Sequence, residues 1–253
     1  MKAAICGVIC ALVATVDTGF ALAQWSAQPS GTGTRLRGVH AVNQSVVWVS
    51  GNNGTFGRTT DAGVTWNEVP RENIPAAHPG EAAFAASGTC VSVFGADHAW
   101  IGTGGSASRV LRSTDRGRTW SAARTPIASG TPSSEVYSIA FSNPLNGVIV
   151  GGDYLKERES SVNFARTTDG GQTWIPGPSL PGYRSAVSYV FREGRVGLVA
   201  VGPSGSDYLA PAANSWTSID SAGYHATSFL PSLATGWSVG ESGSIARWFE
   251  TLP

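Results

Sequence analysis

The chain has 253 residues, and its 17 basic side chains are balanced by 17 acidic ones, so its formal net charge is zero. This balance excludes a basic field for nucleic acid and an acidic interaction tail. The 32 glycines and 9 tryptophans favour many tight turns between short apolar strands.

The first 23 residues have the pattern of a secretory signal. Residues 3–16 form an apolar run too short to span a bilayer, and Ala21 to Ala23 have the small-x-small form of a cleavage site. We therefore expect a mature chain that begins at Gln24, has no membrane span and is secreted, in a bacterium to the periplasm. Cys90 would then be its only cysteine, which excludes an internal disulfide and predicts a buried thiol in its apolar surroundings.

Five similar apolar, β-branched runs follow along the chain, and each closes with glycine. Runs of this kind predict buried strands. They are Val47–Gly51, Ala99–Gly102, Gly147–Gly151, Gly197–Gly202 and Gly236–Gly240. A second apolar run precedes each of them, and these runs are Leu36–Val42, Thr89–Phe94, Val136–Phe141, Ala186–Phe191 and His225–Leu230.

A polar octapeptide follows three of these strand pairs, and its aspartates recur 54 residues apart. The Asp carboxylate can accept hydrogen bonds from its own turn, the Gly can take a positive φ, and the Trp can open the next strand and pack between sheets. The fixed period indicates one supersecondary unit copied along the chain. We interpret the repeated residues as structural, because identical positions in successive copies lie far apart. They are Asp61, Gly63 and Trp66, then Asp115, Gly117 and Trp120, then Asp169, Gly171 and Trp174.

The copied unit contains four antiparallel strands. Five copies predict an all-β fold, a β-propeller of five four-stranded blades that forms a single domain over residues 24–253. The fourth copy is degenerate, with Pro211 in place of the aspartate and Ala213 in place of the glycine. The fifth copy stops before its fourth strand. We predict that the segment 24–27 supplies this strand, with Trp25 docked beside the strand that ends at Arg247, and so closes the ring.

In this architecture the octapeptide turns lie on one face of the ring. The loops between second and third strands share the opposite face with the linkers between blades, and they are longer and more varied. Variable loops on a rigid frame are where binding residues tend to lie, so we take this loop-rich face as the candidate site. Its candidate ligand-binding residues are Glu81, Asp153, Tyr154, Lys156, Tyr183, Arg184, Asp207, Tyr208 and His225.

Two loops of this face carry an Asp-Tyr pair after glycine, at 153–154 and 207–208. Together the pairs could bind a sugar or the end of a peptide, while the simpler interpretation is ordinary loop chemistry. His40 and His225 could face the channel and bind a metal, or they could be hydrogen-bonded fillers. No His-x-His or Cys-x-x-Cys spacing supports a metal, and we expect none.

The octapeptide is the Asp-box, or bacterial neuraminidase repeat, of the sialidase-related repeat superfamily. With Leu36–Val39 and Arg58–Trp66, it makes the chain resemble the photosystem II stability/assembly factor-like β-propellers over its whole mature length. The resemblance implies an exported, monomeric binding or assembly module that presents its loop-rich face to a protein or peptide partner. Members of this family look longer, with about seven blades, and the join between Pro70 and Glu81 is where blades would be absent. Some carry an oxidoreductase label, but no glycine-rich dinucleotide fingerprint follows a strand here, so we expect no cofactor.

Two alternatives to a non-enzymatic module stay open. The first is a carbohydrate-active hydrolase of sialidase or glycosidase type. Sialidases need three arginines that bind the substrate carboxylate, and Arg35 and Arg37 lack the Arg-Ile-Pro sequence that surrounds the first of these arginines. Glycosidases need paired carboxylates, which Asp153 and Asp207 would form only if they converge. The second alternative is a blade-deleted member without retained activity, with poor contact between its first and second blades. We assign no catalytic residue and favour the binding module.

Overall fold

The computed structural model describes residues 26–248, apart from 42, 52–54, 84–86, 193 and 231–233. The described chain is almost entirely strand, turn and loop, with two 3-10 helices of three residues at Arg71–Asn73 and Glu241–Gly243. The all-β class predicted from the sequence is confirmed. None of the described helices is long and apolar enough to cross a membrane.

Five antiparallel sheets follow one another along the described chain. Within each sheet the main strands, four in the first four sheets and three in the fifth, pair in the order in which they follow along the chain, so each sheet is a meander. The third sheet is extended past its innermost strand by two short strands from the preceding loops. The first sheet has β1 (Leu36–Ala41), β2 (Val47–Gly51), β3 (Thr55–Thr59) and β4 (Asn67–Glu68). The second has β6 (Val91–Phe94), β7 (His98–Gly102), β9 (Arg109–Ser113) and β10 (Ser121–Arg124). The third has β11 (Ser134–Phe141), β12 (Gly147–Asp153), β13 (Phe164–Thr167) and β14 (Ile175–Pro176), with β8 (Gly104–Gly105) and β5 (Glu81–Ala82) added. The fourth has β15 (Ala186–Arg192), β16 (Arg195–Gly202), β17 (Gly205–Leu209) and β18 (Thr217–Asp220). The fifth has β19 (Ala226–Phe229), β20 (Gly236–Val239) and β21 (Ile245–Arg247).

The core lies in the seams where consecutive sheets stack face to face. Because side chains alternate along a strand, β12 sends Ile149 toward the second sheet and Val148 toward the fourth. Three buried apolar clusters result, one in each seam from the second sheet to the fifth. The first includes Trp100, Val110, Val136, Ile149 and Trp174; the next includes Val148, Phe164, Val187, Leu198 and Leu209; the last includes Ala186, Val190, Val199, Val201 and Tyr224.

The seam between the first and second sheets has less apolar packing. The ring of Trp48 lies over Gly117, and Arg58 donates from Nη1 to the carbonyl of Arg116 at 3.4 Å. On the same side of the second sheet, however, Val91 is 49% exposed and Val93 is 52% exposed. The sheets therefore touch at their octapeptide turns, while the innermost strand of the second sheet stays open to solvent.

The fifth sheet ends at β21, with three strands in the described chain. Trp25, the residue predicted to dock beside Arg247, lies outside the described residues. Its neighbour Ser26 is exposed and belongs to no strand. Closure by the N-terminal segment therefore stays a prediction.

Candidate binding face

The three octapeptides fold into the same hydrogen-bonded turn. In the first, Asp61 accepts from the backbone N–H of Thr65 at 2.9 Å and from its hydroxyl at 2.6 Å, while the Thr59 hydroxyl accepts from the N–H of Gly63 at 2.8 Å. Asp115 and Asp169 repeat these bonds with Thr119 and Thr173. Each carboxylate is therefore committed to bracing its own turn.

The charges of these turns follow from the same bonds. Hydrogen bonds from Thr65 lower the pKa of Asp61 to about 2. Burial raises the pKa of Asp169, but the bonds from Thr173 and Thr167 outweigh it, and the resulting pKa is about 2. Carboxyl groups with such low pKa values are poor proton donors near neutral pH, which fits a structural role.

On the loop-rich face, Glu81 is held by Arg109 in a buried ion pair. Arg109 donates from Nε and Nη2 to the two carboxylate oxygens, both at 2.7 Å, and the Thr103 hydroxyl donates to Oε1 at 2.6 Å. The Glu81 side chain is 1% exposed. Burial raises the pKa of Glu81, but the hydrogen bonds from Arg109 and Thr103 lower it by more than burial raises it, so the net shift is downward. Glu81 thus fastens the linker to the second sheet and is closed to a ligand.

Asp207 and Arg184 form a second buried pair. Arg184 donates from Nε to Oδ2 of Asp207 at 2.6 Å, and the Asp207 and Arg184 side chains are 0% and 3% exposed respectively. Asp207 pairs across the strands with Ala200, whose side chain belongs to the cluster between the third and fourth sheets. Burial raises the pKa of Asp207, although Arg184 pulls it down. The pair is therefore enclosed in this seam and away from solvent.

The loop that joins β12 to β13 carries the exposed part of the candidate set. Asp153 accepts from the N–H of Leu155 at 3.0 Å, and its pKa is lowered by this bond and by bonds from Ser133 and Thr131, which together outweigh the effect of burial. Lys156 pairs with Glu159 at 3.1 Å, with both side chains more than half exposed. These groups make a solvated polar rim around the loop.

Apolar side chains of the same loop also face solvent. Tyr154 is 46% exposed, Leu155 73% and Val162 40%. We refer to these three residues as the Tyr154 loop residues. Tyr154 and Leu155 are adjacent in sequence, and because neighbouring exposed apolar residues on a soluble surface often mark contact sites, we take this loop as the part of the face best suited to a partner.

An aromatic group supports the loop from below. The ring of Tyr137 meets Tyr183 edge-on with centroids 5.0 Å apart and meets Tyr154 edge-on at 6.4 Å. The Tyr137 hydroxyl donates to the carbonyl of Ser133 at 2.8 Å, and burial raises the pKa of Tyr137 and of Tyr183. Tyr183 is therefore a buried support and Tyr154 is the exposed member of the group.

The remaining candidates lie apart from this loop. Tyr208 packs toward the fifth sheet, with its ring centroid 6.3 Å from that of Trp248. The Nε2 atom of His225 lies 3.5 Å from a carboxylate oxygen of Glu241, a contact that is ionic only when the imidazole is protonated. The structure therefore does not gather the candidate residues into one cluster. In the described ranges, no group of three His, Cys, Asp or Glu side chains is placed to hold a metal.

Sequence reasoning missed the buried side chain of Glu135. It is 0% exposed at the start of β11, and a Cβ added to Gly104 would collide with the Cβ of Glu135. Glutamate in the run Ser134-Glu135-Val136 carries no sign of burial in the sequence, because alternation alone does not tell which strands approach it. Gly104 lets β8 pair closely with this strand.

Comparison with known proteins gives the fold. No family model matches the chain, and no curated protein matches it. Among solved structures, YCF48 bound to D1 peptide is similar with a TM-score of 0.54 and 20% identity over 85% of this chain and 64% of that one. YCF48 from Cyanidioschyzon merolae is similar with a TM-score of 0.54 and 20% identity, over 91% of this chain and 72% of that one. The GH74 enzyme of Niastella koreensis is similar with a TM-score of 0.50 and 18% identity, over 78% of this chain and 32% of that one.

These similarities show a shared β-propeller fold and no more, since every identity is below 25%. The chain spans less than two thirds of the peptide-bound YCF48. The resemblance to photosystem II assembly factor-like propellers is therefore supported at the level of fold, and the chain's activity has to be argued from its own residues.

Proposed function

We propose that the protein is a non-enzymatic binding module that contacts a protein or peptide partner through the Tyr154 loop residues. The observation that carries the proposal is a division within the candidate set. Glu81 and Asp207 are buried in internal ion pairs and Asp153 accepts a bond within its own loop, whereas Tyr154 and Leu155 are exposed. The similarity to a YCF48 structure that holds a D1 peptide supports a partner of this class.

The proposal includes the context expected from the sequence. The mature chain would be exported to the periplasm as a single domain of five blades and would act there as a monomer. Tyr154 would contribute a rigid aromatic contact, with Tyr137 fixing its orientation.

The test compares three forms of the protein as affinity baits in extract from the native compartment. We expect the wild type to enrich a discrete protein, the double variant Tyr154→Ala/Leu155→Ala to lose it, and Val64→Ala to keep it. Val64 is 75% exposed and lies in an octapeptide turn on the opposite face, so it is a matched control for loss of exposed apolar surface. Equal enrichment by the double variant would contradict the proposed face.

A hydrolase is the competing function, since GH74 enzymes share the fold. Asp207 has the raised pKa that a general acid needs, but it is fully buried against Arg184. Asp153 has a lowered pKa and accepts bonds within its own loop. Turnover of a sialoside or a xyloglucan by the purified protein, abolished by Asp153→Asn or Asp207→Asn, would replace the binding proposal.

One observation favours a blade-deleted origin for this module. Val91 and Val93 are about half exposed on the side of the second sheet that faces the first. We infer that the strand pairs on either side of the join between Pro70 and Glu81 did not evolve as direct neighbours. Filling this seam with larger apolar residues, by Val91→Ile and Val93→Ile, should then leave the urea midpoint unchanged or raise it; a fall would show that the seam is already packed.

A further inference from the structure

The loop between β12 and β13 displays Tyr154 and Leu155 on a tight turn. The N–H of Lys156 donates to the carbonyl of Asp153 at 2.9 Å, so Tyr154 and Leu155 are the two central residues of a β-turn. The N–H of Tyr154 donates to the carbonyl of Ser133 at 3.2 Å, which fixes the entry to the turn. The direction in which the turn presents its apolar side chains then depends on what holds its exit.

The linker between the third and fourth sheets, residues 177–185, holds the end of the loop. The side chain of Asn163 is 0% exposed and donates to the carbonyls of Leu180 at 3.0 Å and Gly182 at 2.8 Å. It also accepts from the N–H of Leu180 at 2.8 Å. Three bonds from one buried amide therefore fix the last residue of the loop against the linker.

The exit of the turn is held at the carbonyl of Glu157. This oxygen accepts from the N–H of Tyr183 at 3.0 Å and from the hydroxyl of Ser204 at 3.2 Å. Gly182 lies against the same carbonyl, and a Cβ at this position would collide with it. Because Glu157 directly follows the β-turn, these contacts decide where the turn leaves the face.

The hydroxyl of Ser204 connects this carbonyl to a buried ion pair. Arg184 donates from Nη1 to the Ser204 oxygen at 3.0 Å and from Nε to Asp207 at 2.6 Å. Because the Ser204 oxygen accepts from a guanidinium, its own proton points at the Glu157 carbonyl, and a charged donor strengthens the next bond in such a chain. The Arg184 and Asp207 side chains are 3% and 0% exposed, so the chain of bonds starts from a fixed point.

We propose that Arg184 and Asp207 are positioning residues for the turn that carries Tyr154 and Leu155, and that they act through Ser204. Asp207 fixes the guanidinium, the guanidinium orients the Ser204 hydroxyl, and the hydroxyl holds the exit of the turn. A preformed turn loses less conformational entropy on binding than a flexible one. The benefit to a partner rests on the proposed function, whereas the ordering of the turn does not.

Amide exchange in the full chain, without a partner, tests the positioning. Ser204→Ala removes one hydrogen bond to Glu157 and should speed exchange at the N–H groups of Lys156 and Tyr183 roughly fivefold or more. Ser204→Thr keeps a hydroxyl and should restore exchange close to that of the wild type. Ser121→Ala removes a hydroxyl bonded to a backbone carbonyl of the second sheet and is the control that should leave both groups unchanged. Unchanged exchange in Ser204→Ala would overturn the proposal.

A double variant separates positioning from stability. Arg184→Met/Asp207→Ala removes both buried charges and should be more stable than Asp207→Ala, because neither charge is left unpaired. It also lacks the donor to Ser204, so exchange at Lys156 and Tyr183 should stay about as fast as in Ser204→Ala. Wild-type exchange in the double variant would show that the ion pair serves stability alone, and it too would overturn the proposal.

The affinity-bait assay supplies the functional readout. Ser204→Ala should need roughly fivefold more bait than the wild type for half-maximal capture of the enriched protein, with an unchanged profile for Ser121→Ala. Equal capture by Ser204→Ala and the wild type would contradict a role of the positioning in binding. If the wild type captures no protein, the proposed function fails, and the exchange measurements alone decide the positioning.

Discussion

The indole nitrogen of Trp100 donates a hydrogen bond of 2.7 Å to the carbonyl oxygen of Gly170, one residue before the glycine on which its ring rests. The same ring stacks on Phe141 with centroids 3.5 Å apart. A tryptophan of one sheet is in this way seated on the octapeptide turn of the next. The repeat therefore joins consecutive sheets as well as closing its own turn.

Truncating this tryptophan should destabilise the fold strongly. We expect Trp100→Ala to lower the free energy of unfolding by about 3–5 kcal/mol, because the fully buried ring leaves a cavity and an unpaired carbonyl. Urea denaturation followed by circular dichroism measures the loss. Trp48→Ala is the control at the equivalent position of the first sheet, where the ring is only half-buried, and it should cost clearly less. Equal losses would show that the two seams are packed alike.

The glycine under Trp100 should be sensitive to a single methyl group. Gly171 has a φ of +89°, and a Cβ there would lie 3.2 Å from the Trp100 ring. Gly88 also has a positive φ, +73°, but none of the described residues lies within 4 Å of such a Cβ. Both alanine variants bear the left-handed cost of about 1–2 kcal/mol, and only Gly171→Ala adds a clash. The urea midpoint should therefore fall further for Gly171→Ala than for Gly88→Ala. Equal midpoints would contradict a close contact between the Trp100 ring and Gly171.

The buried pair of Arg184 and Asp207 should behave as a structural unit. Asp207→Ala leaves a buried guanidinium uncompensated and should cost about 3–5 kcal/mol. The double variant Arg184→Met/Asp207→Ala should recover much of that loss, since it removes both charges. Lys156→Ala breaks an exposed pair and should change stability by less than about 1 kcal/mol. A double variant no more stable than Asp207→Ala would argue against this explanation.

Acid should weaken the octapeptide turns within a defined pH range. Asp61 and Asp169 have folded pKa values of about 2, below the ordinary aspartate value of 3.8. The stability that their ionised forms contribute is present above about pH 4 and is lost as pH falls toward 2. Urea midpoints between pH 5 and 2 should therefore drop less steeply in Asp61→Asn/Asp169→Asn than in the wild type. Parallel pH profiles would contradict this assignment.

Cys90 should be unreactive in the folded protein. Its side chain is buried, and burial is the main cause that raises its pKa to about 11, so the thiolate is scarce at neutral pH. A thiol reagent at a pH of about 7.5, below the ordinary thiol pKa, should label it only after unfolding in urea. Rapid labelling of the native protein would show that the segment around Cys90, just before β6, opens.

The sequence was sufficient to predict the strands and turns, because both depend on local chemistry. The run Val47–Gly51 is a strand with those bounds, since apolar β-branched residues ending in glycine suit a buried strand and a turn. The degenerate fourth turn keeps one of the two left-handed residues of the intact turns: Ala212 has a φ of +60°, close to the +61° of Ala62, whereas Ala213 at the glycine position does not have a positive φ. That left-handed residue before the glycine position could not be read from its side chain.

The burial of the candidate residues could not be predicted, because it depends on how sheets stack. Glu81 and Asp207 look like exposed loop residues in sequence, yet each meets an arginine from a distant segment and is enclosed. The added strands β5 and β8 were also missed, since Gly104-Gly105 carries no side-chain pattern and pairs only because Glu135 approaches it. Long-range contacts decide such details.

The proposed binding face is tested most directly by photo-crosslinking from two single positions. A photoreactive phenylalanine derivative replaces Tyr154 in one variant and Val64 in the other, and both are irradiated in extract from the native compartment. The account predicts a discrete protein adduct from position 154 and none from position 64. An adduct from position 64 alone, or equal adducts from both, would contradict it.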